Sequence, residues 1–152
     1  MKLLEFLSPD AIKVPLDAEE KHSAIDELVD LLAECGLISD ATRLKEVVWE
    51  REQQRSTGIG EGLAIPHGKS ECSADLVLAV GRPKSPIEFG SVDKKPVRLI
   101  VLLASPPDKT AEHIQALSKI SRLMIDPDFR ESVYTAETAE AIYGLFERGC
   151  QD

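Results

Sequence analysis

The chain of 152 residues holds only three cysteines, Cys35, Cys72 and Cys150. They are odd in number and far apart, so there is no C-x-x-C pair and no zinc-type spacing. Reduced thiols in a cytoplasmic protein are the simplest reading. Long apolar runs are missing too. The N-terminal Met1-Lys2-Leu3-Leu4-Glu5-Phe6-Leu7 is interrupted by Glu5 and then by Pro9-Asp10, which leaves no continuous apolar core for a signal peptide. No stretch approaches the length needed to cross a bilayer. Direct membrane insertion is therefore not expected, and any membrane transporter involved is a separate chain. Basic residues are outnumbered: 18 Lys and Arg stand against 27 Asp and Glu, a formal charge of −9. That balance argues against a general nucleic-acid surface, which is basic. It favours solubility and docking on basic partner patches. Internal repeats, low-complexity segments and interdomain linkers are absent. Apolar content of 43% and charged content of 30% fit one domain over residues 1–152 with a sizeable core.

The apolar pattern alternates between strand and helix periods. Ile12 to Leu16 reads as a short strand. Asp17 is placed to cap a helix, with Glu20 as its capping-box partner. Ile25, Leu28, Val29, Leu32 and Cys35 form the apolar face, and Gly36 ends the helix. Asp40 caps a second helix with Ala41, Leu44, Val47 and Val48 inward, running toward Arg51. Leu63 to Ile65 and Leu76 to Val80 are strands, with Pro83 and Pro86 breaking the chain after them. Val97 to Leu103 is almost wholly apolar, as in a strand buried on both faces. Pro106-Pro107-Asp108 precedes a helix over Thr110 to Met124. Asp126-Pro127 reads as an N-cap and first helical position, and Thr135 to Glu147 as a last helix closed by Gly149. The expected fold class is α/β: a single domain with a mixed β-sheet flanked by helices on both faces.

The most informative stretch runs from Gly58 to Lys69. Three glycines at alternate positions, Gly58, Gly60 and Gly62, lead into a short apolar run that ends in Pro66-His67-Gly68. A P-loop needs four residues between its first glycine and Gly-Lys-Ser/Thr. Five separate Gly62 from Gly68-Lys69-Ser70, and Pro66 removes an N–H from any phosphate cradle. The dinucleotide fingerprint G-x-G-x-x-G is not matched either, and no helix follows. What remains is a histidine fixed by proline before it, with a glycine after it that permits close passage or a sharp turn. Neutral imidazole is a good nucleophile near neutral pH. His67 is thus the candidate acceptor of a phosphoryl group. The competing reading is a turn histidine with a satisfied hydrogen bond.

Arg51-Glu52, Ser56-Thr57-Gly58-Ile59-Gly60 and Ala64-Ile65-Pro66-His67-Gly68 together resemble the enzyme IIA domain of the fructose/mannitol type. That family belongs to the bacterial phosphoenolpyruvate-dependent phosphotransferase system. Glu112-His113-Ile114 lies where the family places a second active-site histidine, and the resemblance covers nearly the whole chain. The stand-alone nitrogen-regulatory branch is the most similar. The resemblance implies a phosphotransferase component with a phosphohistidine intermediate. A phosphoryl group would come from the histidine phosphocarrier protein HPr, or its nitrogen-branch counterpart, onto His67 Nε2. It would then serve regulation or pass to an enzyme IIB partner. No cofactor or metal is implied. Arg51 matches the family's phosphoryl-stabilising arginine, and Arg55 is a close second. A guanidinium suits phosphate oxygens through its bidentate fork, although a solvated helix-end charge is the plainer reading.

His113 stays open between two roles. It shares an apolar stripe with Leu117, Ile120 and Met124, as a core histidine does. It also lies in the first turn of its helix, where the dipole disfavours the protonated form, so it would orient His67 and stabilise a phosphoryl group. Leu63, Ile65 and Ile59 are candidates for an apolar docking surface or for core. Two functional alternatives remain. One is a phosphorylation-controlled interaction switch without onward transfer. The other, ranked low, is a metal enzyme ligated by His67 and His113, which lacks an H-x-x-x-H pair or a nearby acidic ligand.

Overall fold

The computed structural model describes residues 1–150. After a short 3-10 turn at Leu3–Phe6, the chain runs β1 (Leu7–Leu16), α1 (Lys21–Glu34), α2 (Ala41–Gln54), β2 (Gly58–Gly60), β3 (Leu63–Ala64), β4 (His67–Lys69), β5 (Val77–Pro83), β6 (Leu99–Ser105), α3 (Thr110–Leu123), α4 (Pro127–Thr135) and α5 (Ala139–Gly149). The strands form one mixed sheet in the order β1-β5-β6-β3-β2, with β4 also paired to β6. β1 runs parallel to β5, and β5 antiparallel to β6.

β6 is the spine. All seven of its residues are buried, and they alternate between two cores as the strand period requires. Ile100, Leu102 and Ala104 join α1 and α2 on one face. Leu99, Val101 and Leu103 join α3, α4 and α5 on the other. The expected mixed sheet with helices on both faces is the observed fold.

β3 and β4 pair in parallel with successive stretches of β6. Leu63 and Ala64 lie opposite Leu99 and Ile100, and His67, Gly68 and Lys69 opposite Leu103, Ala104 and Ser105. Between them Ile65 and Pro66 step out of the regular strands. Upstream, the turn at Gly60-Glu61-Gly62 has positive φ at all three residues, which explains two of the alternate glycines. Tyr134 donates its hydroxyl to the Glu61 carbonyl, and Asp93 accepts from the Glu61 N–H at 2.9 Å.

Several local expectations change. Asp17 does not cap α1. Glu20 holds the N-cap position without a side-chain bond, and Glu27 reaches back to accept from the Asp17 and Ala18 N–H groups at 2.9 and 2.8 Å. A carboxylate about two turns past the N-cap thus accepts from the backbone N–H that the expected capping box would have satisfied. β1 begins at Leu7, five residues before the expected start, because parallel pairing with β5 supports it. β5 runs on to Pro83, which closes the strand. Thr135 ends α4 instead of opening the last helix, and Thr138 caps α5 by accepting from Ala141 N–H at 3.1 Å. Asp40 and Asp126 cap α2 and α4 as read.

Gly68 is where α2 meets the sheet. A Cβ built there would sit 2.8 Å from Val47 Cγ1 and 3.1 Å from Val48 Cγ2. The close passage read from the sequence is therefore real, and its partner is the helix that carries Arg51. Gly68→Ala should lower stability by about 1–3 kcal/mol through overpacking, seen as a lower urea midpoint at unchanged m-value. A midpoint equal to the parent's would mean that α2 yields freely at this contact.

Candidate functional site

The break between β3 and β4 builds the site. Ile65 donates its N–H to the Thr57 carbonyl at 3.1 Å. Its own carbonyl lies 2.8 Å from His67 Nδ1. A carbonyl can only accept, so Nδ1 carries the proton and donates. The free lone pair of the neutral ring is then on Nε2. His67 is half-buried at the head of β4 and lines a cleft of about 310 Å³ together with Arg51, Arg55, Thr57, Ile59, Val92 and Leu117.

His113 sits in the first turn of α3 and is only 4% exposed. Its ring meets that of His67 edge to face, with centroids 5.2 Å apart and planes at 72°. Its Nδ1 is 2.7 Å from Ser105 Oγ at the end of β6. His113 is thus packed in the core with its ring against that of His67.

The electrostatics keep both rings neutral. Burial holds His67 below the ordinary imidazole range. The charges of Arg51 and Lys69 act the same way, against the Ile65 hydrogen bond and the Glu52 charge, which pull it up. Burial, with the facing His67 and Lys69, pushes His113 down to about 4.

Arg51 stands in the last turn of α2, and its Nη1 donates to the Arg55 carbonyl at 3.0 Å. This bond folds the guanidinium back over the helix end instead of leaving it loose in solvent. Arg55 lines the same cleft. Lys69 stands two residues after His67 in β4 and so on the same face of the strand. Its Nζ donates to Thr110 Oγ1 at 3.2 Å. Of the apolar candidates, Leu63 and Ile65 are core, while Ile59 is exposed beside Val92. The third histidine, His22, is exposed and stacks flat on Trp49 at 3.8 Å.

Sequence reasoning missed Glu52. It is 3% exposed. It accepts from Thr57 N–H at 2.7 Å and from the Thr57 hydroxyl, and pairs with Lys21 Nζ at 3.1 Å. Thr57 stands five positions after Glu52 across a helix end, and that spacing was the available signal. Among the described residues no cluster of three or more His, Cys, Asp or Glu side chains gathers to hold a metal ion.

The profile of the family described as "Phosphoenolpyruvate-dependent sugar phosphotransferase system, EIIA 2" matches residues 5–149. The chain belongs to this family. It is a phosphoryl-transfer component of the EIIA type. A fructose-specific EIIABC component of Bacillus subtilis is 35% identical over 148 residues, covering 97% of this chain but only 23% of that longer protein. A nitrogen regulatory protein of Bradyrhizobium diazoefficiens is 34% identical over 145 residues, covering 95% of this chain and 94% of that one. The crystal structure of the nitrogen regulatory protein IIA-Ntr from Neisseria meningitidis superposes with a TM-score of 0.86 at 32% identity, over 93% of this chain and 97% of that chain. No helix of this EIIA chain, among the described residues, is long and apolar enough to cross a membrane.

The buried His113 generates a pH dependence. In the unfolded chain it protonates near its ordinary value of 6.5, and in the folded chain only near 4. The unfolded state therefore binds more protons between these values, and stability falls as pH drops through that window. The neutral ring's contribution is complete above pH 6.5. Denaturant titrations of the parent and His113→Gln from pH 7.5 to 4.5 should show a shallower acid loss in the variant, by about 2–3 kcal/mol over the window. Equal slopes would mean that His113 is as easily protonated as a surface histidine.

Proposed function

We propose that His67 Nε2 is the phosphoryl acceptor of this EIIA chain. The observation that carries the reading is the hydrogen bond from His67 Nδ1 to the Ile65 carbonyl. It leaves one nucleophilic nitrogen, in a cleft bordered by the two arginines. The phosphoryl donor is the phosphohistidine of HPr or of its nitrogen-branch counterpart, met in the cytoplasm. The exposed Ile59 and Val92 at the cleft, with exposed Ile114 next to His113 and Ile125 beyond, offer the apolar rim on which such a partner docks.

The step is an in-line displacement through a loose transition state, so positioning and charge do most of the work. As Nε2 bonds to phosphorus, the ring becomes cationic. The Nδ1–H donor then binds the Ile65 carbonyl more strongly, because charge-assisted bonds are the stronger ones. Arg51 faces the equatorial oxygens with the nitrogens not used on Arg55. If Ser105 Oγ donates to His113 Nδ1, 2.7 Å away, His113 Nε2–H becomes a second donor toward the phosphoryl group. In this reading the Ile65 carbonyl selects the attacking nitrogen, since a carbonyl fixes the tautomer without help from His113.

The phosphohistidine then has two fates, transfer to an enzyme IIB partner or control of a regulatory target. Similarity to both fructose-specific and nitrogen regulatory relatives supports either. The interaction-switch reading is the second fate alone.

Incubation with phosphoenolpyruvate and the general phosphotransferase proteins should place an acid-labile adduct on the parent and none on His67→Ala. An adduct that persists on the alanine variant would remove the assignment. Arg51→Met should lower the phosphorylated fraction at fixed donor ratio by roughly ten- to a hundredfold in equilibrium constant, the worth of one charged hydrogen bond at about 1.5–3 kcal/mol. Arg51→Lys should lose less, keeping charge but not the fork. Equal fractions for all three proteins would make Arg51 a solvated surface residue and direct attention to Arg55.

A further inference from the structure

We propose that the buried carboxylate of Glu52 is a positioning residue for phosphoryl transfer, holding Thr57 so that both the His67 imidazole and the Arg51 guanidinium are set. Its role rests on the reading of His67 as the acceptor. A buried ion pair is by itself a weak source of stability, and the Glu52–Lys21 pair has a more specific arrangement. One carboxylate oxygen takes the Thr57 N–H and the other takes the Thr57 hydroxyl. Lys21 Nζ, which pairs with Glu52, also donates to the Phe89 carbonyl at 3.0 Å, and Ser56 Oγ donates to that same carbonyl at 2.7 Å. The segment leaving α2 is thereby pinned from both sides.

Two arms leave the pinned segment. In the first, the Thr57 carbonyl accepts from Ile65 N–H at 3.1 Å, and the Ile65 carbonyl accepts from His67 Nδ1 at 2.8 Å. In the second, the Arg55 carbonyl, two residues before Thr57, accepts from Arg51 Nη1 at 3.0 Å. The carbonyl that selects the nucleophilic nitrogen and the carbonyl that aims the guanidinium therefore share one anchor. The negative charge also acts on His67 directly, raising the ring's affinity for positive charge.

In the transfer step the donor's P–N bond breaks and a P–Nε2 bond forms. The donor imidazole leaves with its electron pair, and no proton has to move, provided that the His67 proton stays on Nδ1. That condition depends on where the Ile65 carbonyl stands. A loosened Thr57 releases it, so the ring samples the other tautomer, with the proton on the attacking nitrogen, while Arg51 loses its rest. Misplacement by about 1 Å is enough to cost on the order of a hundredfold in rate.

Glu52→Gln, Thr57→Val and Thr57→Ser test this in the intact chain. Transfer from the phosphorylated carrier should lose about tenfold or more in kcat in Glu52→Gln and Thr57→Val, with KM within about twofold of the parent. Thr57→Ser, which keeps the hydroxyl, should stay near the parent. Nitrogen-15 spectra of His67 should show one tautomer, protonated on Nδ1, in the parent and in Thr57→Ser, and a mixture in the other two. Parental kcat and a parental tautomer in folded Thr57→Val would overturn the proposal, as would equal losses in Thr57→Val and Thr57→Ser. If Glu52→Gln does not fold, the Thr57 pair decides alone, because the Glu52–Lys21 pair is intact in both. An adduct of the parent mapped away from His67 would remove the acceptor assignment instead. The tautomer spectra would still report whether Glu52 sets the ring.

Discussion

The hydrogen bond between His67 Nδ1 and the Ile65 carbonyl, 2.8 Å long, constrains the rest of the site. For that carbonyl to face a side chain, Ile65 must leave the ladder, and a buried backbone group that leaves a ladder needs another partner. The chain meets the requirement locally. The Ile65 N–H turns to Thr57. Pro66 has no N–H to satisfy, while its carbonyl still accepts from Leu103 at 2.9 Å. β6 then serves as a straight rail on which β3 and β4 are mounted with a gap between them. The gap engages Nδ1 of the imidazole and leaves the free lone pair on Nε2.

Burial and charge set the protonation state of that nitrogen. A half-buried His67 and a nearly enclosed His113, facing each other and approached by Arg51 and Lys69, both resist protonation. The neighbourhood of His67 disfavours its conjugate acid, which keeps a lone pair free on the ring. In the proposed reaction the same cations would favour an incoming phosphoryl group, so one arrangement of charge would serve both ends of the step. In an acidic chain of net charge −9, the cleft at His67 is lined by Arg51 and Arg55, with Ile59 and Val92 among its apolar residues.

Much of this was legible in the residues. The fold class followed from alternating periods and from one fully apolar strand. The fixed position of His67 and the close passage at Gly68 were readable in Pro66-His67-Gly68, though not the helix that Gly68 meets. What was not legible shares a physical cause: it depends on which distant groups meet. Asp17 resembled a helix cap because capping is read from neighbours, but Glu27 supplies the bond from a turn further on. Glu52 looked like an ordinary motif charge because burial is a tertiary property. The role of Ile65 lies in its backbone carbonyl, which no side-chain pattern records. Ser105, buried behind His113, is invisible for the same reason.

The most direct test of the account is which nitrogen bears the phosphorus. Uniformly nitrogen-15-labelled protein, phosphorylated through its carrier, can be read by phosphorus–nitrogen coupling under native conditions. The account predicts a single coupled nitrogen, Nε2 of His67, with the proton still on Nδ1 and bonded to Ile65. Coupling to His67 Nδ1, or to a nitrogen of His113, would contradict it.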